Sequence, residues 1–231
     1  MHSDLRNSAA HVFVDELDEP ALASVDEHHL VRVLRLRDGD SVSASDGNGR
    51  WRLCVMRGGA LEPAGAIAEG EPARQCTVGA AIPKGDRLDW MVQKLTEVGA
   101  QRIALLESDH SVVRWDLARA GRQLERLQRI AREAAAQSRR CRLPVIEGPV
   151  PYGVMIAEAG AAIADPDGRP LAAALTRGPL LIGPEGGWSA AERSSASQAG
   201  AAAVSLGATV LRVETAAVVA AALMLSVGGA G

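Results

Sequence analysis

Apolar positions change their rhythm once along this chain, near Gly70. Before it they come in short runs. His11-Val12-Phe13-Val14 reads as a strand, and Asp26 opens a helix with apolar positions Leu30, Val31, Val33 and Leu34 and a stop at Gly39. Residues 41–45 and 51–56 flank Asp46-Gly47-Asn48-Gly49, whose Asp-Gly and Asn-Gly pairs suit a hairpin turn. Gly70-Glu71-Pro72-Ala73-Arg74 has the composition of a linker. This order predicts a small β-rich domain over residues 1–70.

Beyond the linker, strand and helix patterns alternate. Residues 76–82 form a strand pattern ending at Pro83-Lys84-Gly85, and Asp86 opens a helix in which Leu88, Met91, Val92, Leu95 and Val98 recur until Gly99. Residues 103–106 complete a βαβ unit. With 143–146, 161–164, 180–182 and 203–206 this makes about six strands, mostly parallel, in an α/β domain over residues 76–231. The last helix, residues 216–227, is apolar on nearly every face through Val218, Val219, Leu223, Met224 and Leu225, a pattern that demands burial.

One stretch of that domain draws the rest together. Leu180-Leu181-Ile182 reads as a buried strand that stops at Gly183-Pro184-Glu185-Gly186-Gly187. Ser189-Ala190-Ala191-Glu192 then has capping-box spacing, which starts a helix that Gly200 ends. A second strand, Ala203 to Leu206, stops at Gly207, and a loop carrying Arg212, Glu214 and Thr215 leads into the last helix. Two strands that empty into glycine turns place bare N–H and C=O groups at the carboxyl edge of the sheet. Open α/β sheets bind ligands there, and glycine lets a ligand approach the main chain closely.

Composition adds bounds. The chain of 231 residues is 47% hydrophobic, 23% charged and 3% aromatic, enough for a proper core packed mainly by aliphatic residues. A net charge of −3 excludes a uniformly basic coat. The positive charge is concentrated instead between Arg114 and Arg142, where nine arginines face Asp116, Glu125 and Glu133 for a local net of +6. Arg119, Arg122, Arg126 and Arg129 share one helix face, with Leu117, Leu124, Leu127 and Ile130 turned inward. Such a face suits a polyanion. Cys54, Cys76 and Cys141 form no C-x-x-C pair and read as reduced thiols of a cytoplasmic protein. No signal peptide or membrane span is expected, and the five histidines are too scattered for a zinc site, so no metal is expected either.

The segment Gly183-Pro184-Glu185-Gly186-Gly187-Trp188-Ser189-Ala190-Ala191-Glu192, followed by Leu206-Gly207-Ala208-Thr209-Val210-Leu211-Arg212-Val213-Glu214-Thr215-Ala216, resembles the C-terminal signature of the SPOUT-class methyltransferases that modify N3 of a uridine in 16S ribosomal RNA. The resemblance continues upstream through His28-His29-Leu30-Val31-Arg32-Val33-Leu34-Arg35, Lys84-Gly85-Asp86-Arg87, Gln93 to Gly99, and Glu133 to Arg140. These blocks follow the family's order over nearly the whole chain. His11 departs from it, standing where the family pattern has arginine.

The resemblance implies a PUA-like β-barrel that contacts RNA, followed by a SPOUT domain whose C-terminal chain is tucked into a trefoil knot. It implies S-adenosylmethionine held by Ile182, Gly183, Pro184, Glu185, Gly186, Gly187, Leu206, Gly207, Val210, Leu211, Arg212, Glu214, Thr215 and Ala216. Arg212 and Arg140 are the candidate cations for a uracil anion, and Glu185 and Glu214 the candidate orienters or bases. Arg32, Arg35, Arg119, Arg122, Arg126, Arg129, Gln137, Arg139 and Arg140 are the candidate RNA contacts, with 16S ribosomal RNA or the small ribosomal subunit as partner. Arg37, Arg50 and Arg52 are further candidates for phosphate. A homodimer is expected.

Two other classes compete with that reading. One is a non-catalytic RNA-binding module whose glycine turns are structural. The other is an α/β enzyme for a different nucleotide, which the absence of G-x-G-x-x-G and of G-x-x-x-x-G-K-[ST] disfavours. The absence of G-x-S-x-G weakens a serine hydrolase.

Overall fold

The structure is a computed structural model that describes residues 2–70, 72, 75–171 and 178–227. Glu71, Ala73 and Arg74 of the expected linker lie outside the described residues. The chain divides into two compact units. The first comprises Met1–Ala73 with Arg132–Leu143, and the second Arg74–Ala131 with Pro144–Gly231. A segment from the middle of the chain therefore groups with the N-terminal residues.

The first unit is built from α1 (Ser3–Asn7), β1 (Ala10–Phe13), α2 (Ser24–His28), β2 (Ser41–Ser45), β3 (Arg50–Arg57), β4 (Ala60–Pro63) and β5 (Ala68–Glu69). β2 and β3 form the expected hairpin, pairing antiparallel from Ser41↔Val55 to Ser45↔Trp51. β1 adds parallel to β2, and β4 and β5 add antiparallel to β3. Ala10, Val12, Val42, Ala44, Cys54 and Met56 bury against one another as the core.

The helix expected from Asp26 to Gly39 is shorter and differently wound. α2 begins at Ser24, a π-helical turn follows over His29–Val33, and Leu34 N–H donates to His29 O at 2.9 Å. Arg35 then reverses the chain at φ +54°. The wider turn rotates the following side chains out of helical phase. Leu30 is buried as expected, but Val31, Val33 and Leu34 are exposed, as are Arg32 and Arg35.

The segment that ends this unit is stitched to the hairpin. Gly49 N–H and Ser45 Oγ both donate to Cys141 O at 2.9 Å, and Leu143 N–H donates to Gly47 O at 2.9 Å. Arg132 donates to Phe13 O at 2.7 Å and its guanidinium lies 5.1 Å from the Phe13 ring centroid. Arg139, itself at φ +59°, donates to Ser8 O at 2.8 Å.

The second unit contains β6 (Thr77–Ala81), α3 (Arg87–Val98), β7 (Arg102–Glu107), most of α4 (Leu117–Gln137), β8 (Val145–Pro151), α5 (Tyr152–Ile156), β9 (Ala162–Pro170), β10 (Leu180–Ile182), α6 (Ala190–Gln198), β11 (Ala202–Ser205) and α7 (Val213–Val227). Its six strands lie in the order β11-β9-β10-β6-β7-β8, and every pairing is parallel. Gly99 ends α3 in the left-handed conformation at φ 118°, but Asp86 makes no side-chain cap at its start. Leu127 is fully buried and Leu124 and Ile130 half-buried, whereas Leu117, expected to face inward, is 94% exposed at the first position of α4.

α7 starts earlier than expected, so Glu214 and Thr215 belong to its first turn. Ala217, Ala220 and Ala221 are fully buried beside β6, β10 and α3, while Val218, Val219 and Leu223 are half-buried. Its all-round burial is therefore incomplete within the chain. Among the described residues no helix is long and apolar enough to cross a membrane, and no group of three or more His, Cys, Asp or Glu side chains is arranged to hold a metal ion.

His11 serves the interior of the first unit. It is 5% exposed, its Nε2 lies 3.0 Å from Arg140 O and its Nδ1 2.8 Å from Ser43 Oγ. A carbonyl only accepts, so the neutral ring carries its proton on Nε2, and Nδ1 accepts from the Ser43 hydroxyl. Burial pushes the pKa from 6.5 down to about 4, Arg139 adds to the shift, and the bond to Arg140 O opposes it. Between these values the unfolded chain binds a proton that the folded unit refuses, so stability falls as pH drops from about 6.5 to about 4 and no further from this group below that. At pH 4.5 the loss is roughly 2–3 kcal/mol. Replacing His11 by Asn should flatten this acid limb, as read by amide exchange over β1 and β2 at pH 7 and pH 4.5.

Candidate active site

The cavity in the second unit begins where β10 runs out. Leu180, Leu181 and Ile182 are buried between β9 and β6, and the next residues turn back with Gly187 N–H donating to Pro184 O at 2.8 Å. Gly183 is required here by close packing. A Cβ on it would lie 3.0 Å from Cε2 and 3.1 Å from Cδ2 of Trp188, and Trp188 is itself buried with Nε1 donating to Ala164 O at 3.0 Å.

Three further groups hold this turn. His110 Nδ1 donates to Gly187 O at 3.0 Å and Gly186 O at 3.2 Å. The capping box is present, with Ser189 N–H donating to Glu192 Oε2 at 2.8 Å and Glu192 N–H donating to Ser189 Oγ at 3.1 Å. The other oxygen of the buried Glu192 accepts from Asp109 N–H at 3.0 Å, and Ser189 Oγ donates to Asp109 Oδ2 at 2.5 Å. Tyr152 donates to Glu192 O at 2.8 Å. Burial, with the Glu192 charge beside it, pushes the phenol up to about 12, so it stays a donor.

The second wall comes from β9, which separates the two glycine turns. Pairing of β11 with β9 steps from Ala203↔Ile163 to Val204↔Arg169, so five residues of β9, Ala164 to Gly168, leave the ladder. Gly168 closes that excursion, since a Cβ there would fall 2.5 Å from Val204 N and 2.7 Å from Ala203 O. The excursion carries Asp165 to the cavity wall. Its side chain is 4% exposed, paired with Arg193 of α6, and accepts from Asp167 N–H at 3.0 Å. A carboxylate this deep requires such partners.

The cavity holds about 370 Å³, within the usual range for a small-molecule site of ~300–1,000 Å³. Ile182, Gly183, Pro184, Glu185, Gly187, Leu206, Gly207, Val210, Leu211, Arg212 and Ala216 line it, while Gly186, Glu214 and Thr215 do not. Asp165 and Arg193 belong to the wall without having been singled out from the sequence. Glu214 is buried beside the wall, its Oε2 3.7 Å from Arg87 Nη1, and Glu185 Oε1 lies 3.3 Å from the same nitrogen. Arg212 is exposed and makes no ion pair among the described residues. Gln137, Arg139 and Arg140 fall in the first unit. Of the basic face, Arg126 is paired with Asp89, and Arg119, Arg122 and Arg129 are exposed. Arg50 pairs with Asp46, and Arg52 donates to Leu17 O and Gly65 O.

A family model described as an RNA methyltransferase domain matches residues 70–225, and another, described as an RNA methyltransferase PUA domain, matches residues 27–58. The chain belongs to this RNA methyltransferase family. Ribosomal RNA small subunit methyltransferase E of Mycobacterium bovis is 36% identical over 230 residues, covering 90% of this chain and 88% of that protein. The structure of a ribosomal RNA small subunit methyltransferase E from Neisseria gonorrhoeae bound to S-adenosyl methionine superimposes with a TM-score of 0.80 at 26% identity, over 94% of this chain and 97% of that one. A probable rRNA-methyltransferase from Porphyromonas gingivalis gives 0.80 at 30% identity, over 95% and 98%. The parallel-sheet unit is thus the methyltransferase domain, and the β-rich unit is of PUA type.

Gly183→Ala should force the Trp188 indole away from Ala164 O, destabilising the methyltransferase domain by about 1–3 kcal/mol. Denaturant unfolding would give the loss, and a tryptophan emission shift that disappears in a Trp188→Phe background would place it at Trp188.

Proposed function

We propose that this protein transfers a methyl group from S-adenosylmethionine to N3 of a uridine in 16S ribosomal RNA of the small subunit. The observation that carries this reading is the cavity between the Gly183–Gly187 turn and the 205–212 loop, in a chain of this family, with Arg212 at its wall and in no ion pair among the described residues. The residues present fit the cofactor. Apolar Ile182, Leu206, Val210, Leu211 and Ala216 suit an adenosine, and a Cβ on Gly207 would meet nothing within 4 Å.

S-adenosylmethionine supplies a methyl already activated on a sulfonium, so the protein's part is alignment and exclusion of water. Uracil N3 is a poor nucleophile until its proton leaves. Arg212, exposed at the wall and free of carboxylate partners among the described residues, is placed to stabilise the uracil anion. Arg140 is the second cation on the family pattern. Glu185 at the wall is the better placed of the two candidate bases, because Glu214 is buried behind it. Arg32, Arg35, Arg119, Arg122 and Arg129 are exposed and suit phosphate contacts.

The domain assignment we propose is PUA over 1–70 and SPOUT over 76–231, with a trefoil knot at the C-terminus. Packing of α7 against β6, β10 and α3 supports it. The protein works in the cytoplasm as a homodimer, in which the half-covered side chains of α7 find cover. Sedimentation velocity at micromolar concentration should give a dimer, and a monomer throughout would refute that part.

Calorimetry should show micromolar binding of S-adenosylmethionine, and the protein should methylate small subunits or 16S RNA at a uridine. N3 methylation removes a Watson–Crick donor, so reverse transcription stops at the site. Arg212→Ala should lower the rate roughly 10²–10³-fold. RNA binding without cofactor binding or methyl transfer would favour a non-catalytic RNA-binding module instead.

A further inference from the structure

The residues that end α4 fall by sequence in the methyltransferase match, residues 70–225, yet they group with Met1–Ala73 in the first unit. Their backbone closes in a Schellman turn. Arg140 N–H donates to Ala135 O at 2.9 Å and Arg139 N–H to Ala136 O at 3.3 Å. The left-handed position of such a turn usually falls to glycine, but here it is Arg139, at φ +59°. Glycine would end the helix without that strain. A strained backbone persists where the surrounding structure over-determines it.

The over-determining contacts come from the N-terminal residues. His11 Nε2 donates to Arg140 O at 3.0 Å, Arg139 Nη2 donates to Ser8 O at 2.8 Å, and the next carbonyl, Cys141 O, accepts from both Ser45 Oγ and Gly49 N–H. Both main-chain polar groups of Arg140 are therefore fixed, one by its own helix and one by β1. His11 is itself held, with Nδ1 accepting from Ser43 Oγ at 2.8 Å and Ser8 Oγ lying 2.9 Å from that hydroxyl. His11, Ser8 and Ser43 are all buried. The Schellman turn alone suffices to end α4. The additional bonds converge on Arg140, the residue of this segment that the proposed transfer uses as a cation.

Resting on the part given to Arg140 in that transfer, we infer that His11 is a positioning residue for the reaction: its Nε2–H fixes the Arg140 carbonyl and so sets the backbone from which the Arg140 side chain is presented to the RNA. Arg139, locked to Ser8, serves the same turn. A side chain carried on a fixed backbone has less freedom to lose when it meets an anion, and small displacements of such a group are costly in rate. What position 11 requires is a donor at the reach of Nε2.

The test is a double-mutant cycle on the full-length protein, reading kcat/KM for methyl transfer to small subunits or 16S RNA, with S-adenosylmethionine affinity followed by calorimetry. His11→Leu should lower kcat/KM about tenfold and leave cofactor affinity within about twofold. His11→Gln, whose amide donates at nearly the reach of Nε2, should restore most of the loss. In an Arg140→Ala background His11→Leu should cost less than about twofold further, because a residue that acts through Arg140 then has nothing left to position. The same loss from His11→Leu with Arg140 present or replaced, no loss with Arg140 present, or no recovery in His11→Gln overturns the positioning role and leaves the proposed function standing. An Arg140→Ala variant that transfers methyl groups at the wild-type rate overturns the part given to Arg140, and the positioning role with it. A wild-type protein that transfers none overturns the proposed function itself. Should His11→Leu fail to fold, Ser43→Ala, which removes the bond that orients the imidazole, goes through the same cycle.

Discussion

The parallel pairing of β11 to β9 to β10 to β6 is the constraint on which the site depends. It sets the carboxyl ends of all four strands at one edge, and the register step between β11 and β9 pushes Ala164 to Gly168 out of the ladder. Main-chain hydrogen bonds cannot be given up cheaply in a buried sheet, so the excursion is confined to the strand's carboxyl part, where side chains and solvent replace the lost partners. Asp165 reaches the cavity wall through that excursion, and Gly168 permits it because no other residue fits against Val204 N.

Around that edge the glycine turn is held rigid by its neighbours. Trp188 packs over Gly183, His110 binds two carbonyls of the turn, and Asp109, Ser189 and Glu192 close a ring of hydrogen bonds at the start of α6. A donor with an activated methyl needs alignment more than covalent help, and a backbone locked from several sides supplies alignment.

The arginines between 114 and 142 are less uniform than their count suggests. Arg126 neutralises Asp89, Arg132 reaches Phe13 O and Asp26, and Arg139 donates to Ser8 O, with burial pushing its guanidinium pKa down. These three act inside the protein. Arg119, Arg122 and Arg129 remain exposed, so the field available to a polyanion is carried by fewer groups than the sequence total.

Local patterns in the chain were sufficient for the hairpin of β2 and β3, the strand-helix alternation after Gly70, the capping box at Ser189 and Glu192, and the glycine turns that border the cavity. Each depends on contacts within a few residues, so spacing alone reveals it. The π turn after His28, the grouping of Arg132–Leu143 with the first unit and the insertion of β9 between β10 and β11 were decided by packing. Asp165 and Arg193 were invisible as site residues for the same reason. Partners 28 and 98 residues apart in the chain, such as Asp165 with Arg193 and Arg87 with Glu185, meet only because the parallel sheet brings its strand ends to one edge.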